Sequence, residues 1–186
     1  MTVRTVLRGL LTCQPCRGDP QEPTADPAPQ VRGEERGAVG GWQVKYLTAD
    51  EREAFRLTAQ DGRLIDANGQ PFNSRYAAGD ATRSIFNAAG DNRFAIAVMD
   101  QDGNFYANNA ALTGKFHHSS FFAGGRVFYG GNIQVTDGWL EAITRSSGHY
   151  KTGLQHLDQA VDSMQKQGVV HAFGVYRSVQ GAPWQI

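Results

Sequence analysis

The residues of this chain best suited to chemistry fall in two short clusters, GKFHHSSFFAGG at 114–125 and SGHY at 147–150. His118 and His149 carry imidazoles whose ordinary pKa lies near neutrality, so either can give or take a proton at working pH. Ser119 and Ser120 add hydroxyls, and Gly124 and Gly125 let a backbone approach a ligand closely. Tyr150 offers a π-face, Ser147 a further hydroxyl and Lys151 a positive charge. An apolar, hairpin-like insert separates the clusters; if it folds back on itself, they share one cleft. The expected site has His118, His149, Tyr150 and Ser119 as catalytic residues, and Ser120, Gly124, Gly125, Ser147 and Lys151 on substrate or cofactor.

Three kinds of function use such a set. One is ADP-ribosyl transfer with NAD as co-substrate: His118 bonds the ribose, Ser119 or Ser120 orients the amide, Tyr150 stacks on nicotinamide, and Glu141 or Asp137 supplies the acid. A second is a metal-independent nuclease or phosphodiesterase, with His118 and His149 as base and acid and Lys151 or Arg145 neutralising phosphate. The third is a non-enzymatic protein-interaction module in which histidine and serine lock turns and the tyrosine finds a buried acceptor. A zinc centre of His117, His118 and His149 is not expected. Neighbouring histidines on a strand point to opposite faces, and no carboxylate stands at a supporting spacing.

With 18 basic and 18 acidic residues the formal charge is zero, which removes the broad attraction that drives non-specific nucleic-acid or membrane-surface binding. No apolar run reaches the ~20 residues a bilayer span requires. Both cysteines, Cys13 and Cys16, lie near the amino terminus, so no disulfide staples the core. Five of the seven prolines fall within the first thirty residues, followed by RGEERGAVGG. The expected organisation is therefore a disordered leader over 1–41, with a secretion or targeting role, and one globular domain over 42–180.

Thr48 and Glu51 fit a capping box opening a helix from Ala49 to Thr58, ended by Asp61-Gly62. The run RLIDANGQPF reads as a hairpin turning at Asn68-Gly69, and a helical turn is expected between Tyr76 and Asn87. Phe94–Met99 reads as a buried central strand, with DQDGN turning the chain into an antiparallel return from Phe105 to Ala107. A strand is expected around Phe116. Beyond it, strands over Arg126–Tyr129, Asn132–Thr136 and Trp139–Thr144 are separated by turns at Gly130-Gly131 and Asp137-Gly138. Leu154, Leu157, Val161 and Met164 mark a helix over Gly153–Gln167 with His156 on its exposed side, and a last strand is expected from Val169 to Tyr176. The fold class is α+β, a mostly antiparallel sheet with two or three packing helices and a disordered amino-terminal arm.

The stretches YLTADEREAFRL, DGRLIDANG, FAIAVMDQDGNFYA, GKFHHSSFFAGG and SGHY resemble the conserved C-terminal region of plant IQ-motif-containing calmodulin-binding proteins, and related bacterial and fungal effector- or toxin-like domains. His118, Ser119, Ser120, Phe121, Ala123, Gly124, Gly125, Ser147, Gly148, His149 and Tyr150 match the family's FQHSSFLAGG and SGHYRP stretches. His117 replaces a Gln, and Lys151-Thr152 replaces the basic-proline pair. No IQ motif is visible in this sequence, so calmodulin binding is not expected to follow from the resemblance. On its bacterial side the resemblance implies a secreted effector or toxin acting on a host or competitor protein, delivered by a non-Sec route such as type III secretion; the alternative is a cytoplasmic protein.

Overall fold

The computed structural model describes residues 25–27, 31–38, 40–41, 43–75, 94–110 and 114–169. Their centre is the run FAIAVM, which forms strand β3 (Phe94–Met99), paired on both sides and buried from its second residue onward. Alternation along β3 divides two apolar layers. Ala95, Ala97 and Met99 face one core, and Ile96 and Val98 face the other.

Around β3 the chain builds a six-stranded antiparallel sheet from β1 (Arg56–Gln60), β2 (Arg63–Ile65), β4 (Phe105–Asn108), β5 (Tyr129–Thr136) and β6 (Trp139–Thr144), in the order β2-β1-β4-β3-β5-β6. The β1–β2 and β5–β6 hairpins turn at Asp61-Gly62 and Asp137-Gly138. All four residues have positive φ, the geometry that lets a two-residue turn follow strand twist. The sheet curls until its ends nearly meet. Leu64 N–H donates to Gly138 O at 2.8 Å, and Gly138 N–H donates to Phe72 O at 2.9 Å.

Helix α2 (Leu154–Lys166) lays Leu157, Ala160, Val161 and Met164 on the first core, where the small Ala95, Ala97 and Ala107 leave room for them. The opposite core, which includes Leu47, Tyr106, Phe116, Phe121, Val127 and Tyr150, carries the HHSS and SGHY loops. The α+β expectation thus holds in its coarse form: mostly antiparallel sheet with α2 and the short α1 (Ala49–Glu53) among the described residues.

Several expected elements take different forms. The capping box is present, with Glu51 N–H donating to Thr48 Oγ1 at 3.2 Å and Thr48 N–H to Glu51 Oε2 at 2.9 Å. The helix it opens stops at Glu53, because Arg56–Gln60 is claimed by the sheet. The segment around Phe116 is not one of the sheet's six strands; it leads into a single 3-10 turn, His118–Ser120. His156 is buried rather than exposed, its Nδ1 accepting from Gly153 N–H at 2.8 Å. Residues 25–27 and 31–38, within the expected leader, pack on the domain: Ala25 bridges Val127, and Pro27 bridges Tyr150. The turn expected at Tyr76–Asn87, the final strand beyond Val169 and both cysteines lie outside the described residues.

Gly130-Gly131 is no turn either, since β5 runs straight through it. Its glycines answer to close approach. A Cβ on Gly130 would stand 2.8 Å from Tyr150 Cδ2, and one on Gly131 would meet the Thr144 carbonyl and, at 2.5 Å, the Tyr129 hydroxyl. Because a backbone carbonyl in a paired strand has little room to yield, Gly131→Ala is expected to cost about 3 kcal/mol. Gly40→Ala, which has nothing within 4 Å but a positive φ, is expected to cost about 1 kcal/mol. Urea unfolding of both variants checks the contrast.

Candidate functional site

The two motif loops meet on the face of the sheet opposite α2. The rings of His117 and His149 lie 4.2 Å apart, and those of His118 and His149 6.3 Å apart. The expected juxtaposition of clusters is therefore present, although its interior differs from the expected open cleft. His118 is 1% exposed, and its Nε2 lies 2.8 Å from the carbonyl oxygen of Gly131. Burial drives its pKa down to about 3, against the opposing effect of that carbonyl, so the ring stays neutral and donates.

The other motif atoms are likewise engaged within the chain. Ser120 Oγ accepts from His117 N–H at 2.9 Å, closing the 3-10 turn. Ser147 Oγ accepts from the N–H groups of His149 and Tyr150 at 3.2 and 3.1 Å, which makes SGHY a corner. The Tyr150 hydroxyl donates to Gly125 O at 2.8 Å while its ring lies on Gly130, and burial raises the phenol's pKa. Gly124 N–H donates to Ser119 O at 2.9 Å and faces the Tyr46 hydroxyl, with no space for a Cβ. Lys151 is exposed and tied through its N–H to Asp26 O at 3.0 Å; with Arg32, Glu35 and Tyr46 it borders a surface cavity of about 690 Å³.

At the centre stands a residue that sequence reasoning missed. The 3-10 turn Glu34–Arg36, bracketed by Gly33 and Gly37, inserts the Glu34 carboxylate between the motifs, where it is 3% exposed. Its Oε1 accepts from Ser119 Oγ in a short hydrogen bond and from the Tyr46 hydroxyl at 3.2 Å. Its Oε2 lies 3.4 Å from His117 Nδ1 and 3.5 Å from His149 Nε2. Burial alone would raise this carboxyl's pKa, but the contacts with His117, His149 and Ser119 outweigh it and bring the value down to about 2. Burial, and after it the Glu34 charge, raises the pKa of Tyr46. Only the glycine-flanked acidic pair of RGEERG hinted at this role, and it carries no periodicity.

The fold and site thus define a domain of one curled antiparallel sheet whose two polar motifs close over an internal carboxylate. The sequence model for the IQ motif-containing protein middle domain matches residues 51–157, and the chain belongs to that family. Among its relatives in Arabidopsis thaliana, IQ domain-containing protein IQM1 is 32% identical over 127 residues, covering 68% of this chain and 23% of that protein. IQ domain-containing protein IQM3 is 29% identical over 126 residues, covering 68% and 25%. The chain therefore spans about a quarter of the length of the curated relatives it matches. No solved structure matches it.

This membership corrects the expected role. The matched relatives are plant IQ domain-containing proteins, which overturns the reading as a bacterial secreted effector or toxin acting through ADP-ribosyl transfer, and with it export by a type III route. The geometry agrees. His118 is sealed beneath the surface, the Tyr150 ring is packed on Gly130, and the Glu141 carboxylate is bonded to Gln134 on the neighbouring strand. No helix among the described residues is long and apolar enough to cross a membrane.

Acid unfolding tests the network. The ordinary pKa of Glu34 is 4.5 and its folded value about 2, so its contribution is complete above pH 4.5 and is lost as pH falls toward 2. For His118 the values are 6.5 and about 3; below pH 6.5 the unfolded chain takes the proton first, and stability again falls with pH. Glu34→Gln is expected to lower stability at pH 7 by about 1–3 kcal/mol and to flatten the decline between pH 4.5 and 2. His118→Asn is expected to flatten it between pH 6.5 and 3. Thermal unfolding across pH 7 to about 2 measures both.

Proposed function

We propose that this domain is a non-enzymatic protein-interaction module whose motifs build its framework rather than turn over a substrate. The observation that carries this reading is the commitment of both motifs to their own chain. His118, Ser119, Ser120, Ser147, His149 and Tyr150 are all buried and all engaged inside the fold. A catalytic group must reach a substrate atom. Here the matching residues hold a carboxylate and two loops.

The relatives are named for an IQ domain, whereas the matched stretch is a middle domain, and no IQ motif is visible in this sequence. We therefore assign partner contact to the domain's own surface. The plant relatives favour action inside the cell that makes the protein, the alternative to export. A concavity of about 410 Å³ next to the motif loop is lined by Arg52, Asp100, Asp102, Phe122, Arg126 and Phe128. The Arg52 guanidinium lies 4.0 Å from the centre of the Phe122 ring and is held by Phe121 O at 3.1 Å. Arginine over an aromatic ring, with charges at its margin, is the composition found where interfaces concentrate their energy.

Cross-linking of the tagged full chain in extracts of its own cells, read by mass spectrometry, tests the proposal. A partner whose yield falls about thirtyfold with Phe122→Ala, while His118→Asn retains it after correction for the folded fraction, is the expected result. Turnover of a substrate that is abolished by His118→Asn in folded protein would overturn the reading.

A further inference from the structure

We propose that Glu34, His117 and His149 form a binding site for a divalent transition-metal ion of the zinc type. Their donor atoms, Glu34 Oε2, His117 Nδ1 and His149 Nε2, all lie within 4.8 Å of one another. Two of the three separations are 3.4 and 3.5 Å, longer than the roughly 2.7–3.2 Å of an N–H···O hydrogen bond. They are close to the edge of a tetrahedron whose corners stand about 2.0–2.1 Å from a central zinc, an edge of roughly 3.3–3.4 Å. The donors come from three separate segments, and their side chains are 4–10% exposed. Two imidazoles and a carboxylate are a ligand set that zinc accepts, with a fourth position left for water.

The partners of these donors say what coordination changes. His149 Nδ1 is buried with no hydrogen-bond partner among the described residues, so no second contact dictates which ring nitrogen carries the proton. Coordination through Nε2 gives up the contact with Glu34 and puts the ring proton on Nδ1, which has no acceptor among the described residues. His117 is more constrained. Its Nε2 accepts from Gly114 N–H at 2.8 Å, which places the ring proton on Nδ1, facing Glu34. Coordination through Nδ1 moves that proton to Nε2 and turns the Gly114 N–H away. One neutral hydrogen bond is exchanged for a metal–nitrogen bond, and the balance favours the metal. Glu34 Oε1 keeps Ser119 and Tyr46 as the outer contacts that orient the ligand. The ion ties the segment around Glu34 to both motif loops at once.

The test uses the full chain with Cys13→Ser and Cys16→Ser, which removes the thiols as competing ligands. Titration with Co²⁺, followed by visible absorption, is expected to show one equivalent with intense tetrahedral bands that Zn²⁺ abolishes. Zn²⁺ is expected to move the Gly114 amide resonance in a nitrogen-15 NMR spectrum. His117→Gln and His149→Gln, with folding checked by circular dichroism, are each expected to weaken binding at least tenfold. Absence of the bands, bands unchanged in both variants, or Zn²⁺ binding that leaves the Gly114 amide in place would overturn the site. Should a variant fail to fold, the Gly114 amide of the chain with native histidines decides.

Discussion

One buried carboxylate holds the motif face of this domain together. Glu34 arrives from a turn outside the sheet and faces Ser119 and His117 from one loop, His149 from another and Tyr46 from the strand-like segment leading into α1. A charge at that depth is tolerable only because several donors converge on it. Conversely, Ser119 and His149 are buried and would lose this acceptor if the carboxylate were removed, whereas Tyr46 would keep Val31 O. Each side makes the other affordable, so the turn around Glu34 packs as part of the motif face.

Beneath this network lies a second constraint, the close approach of β5 to its neighbours. With two successive positions lacking side chains, the Tyr150 ring comes onto Gly130, and Gly131 presents its carbonyl oxygen to His118. Tyr129, from the same strand, reaches Thr144 O with its hydroxyl at 2.6 Å. The motifs and the glycine pair are thus parts of one arrangement.

Elements governed by local rules were legible in the sequence: the capping box at Thr48, the apolar run of β3, the Asp137-Gly138 hairpin and the apolar stripe of α2. The family was legible too, because its motifs are short and specific. Tertiary contacts were not. Gly130-Gly131 reads as a turn when glycine is weighed only for its backbone freedom, yet here it serves close packing. The helix expected to run to Thr58 stops short because pairing with β2 and β4 claims Arg56–Gln60. Glu34 was hidden because its surroundings, rich in glycine and charge, have the composition of a leader; a plug held by long-range hydrogen bonds leaves no periodic trace. His118 and His149 do lie near each other, but sequence could not say that a carboxylate would stand against His117 and His149.

The near-meeting of the sheet's ends bears on how the molecule behaves in a crowded solution. An open sheet exposes a row of unpaired amide and carbonyl groups on which another chain can build an intermolecular ladder. Here β2 has only three residues, its Leu64 N–H is taken by Gly138 O, and Arg63 stacks over Trp139 while pairing with Asp137. The curl therefore covers the β2 edge on which, in a chain without core disulfides, another chain could otherwise build.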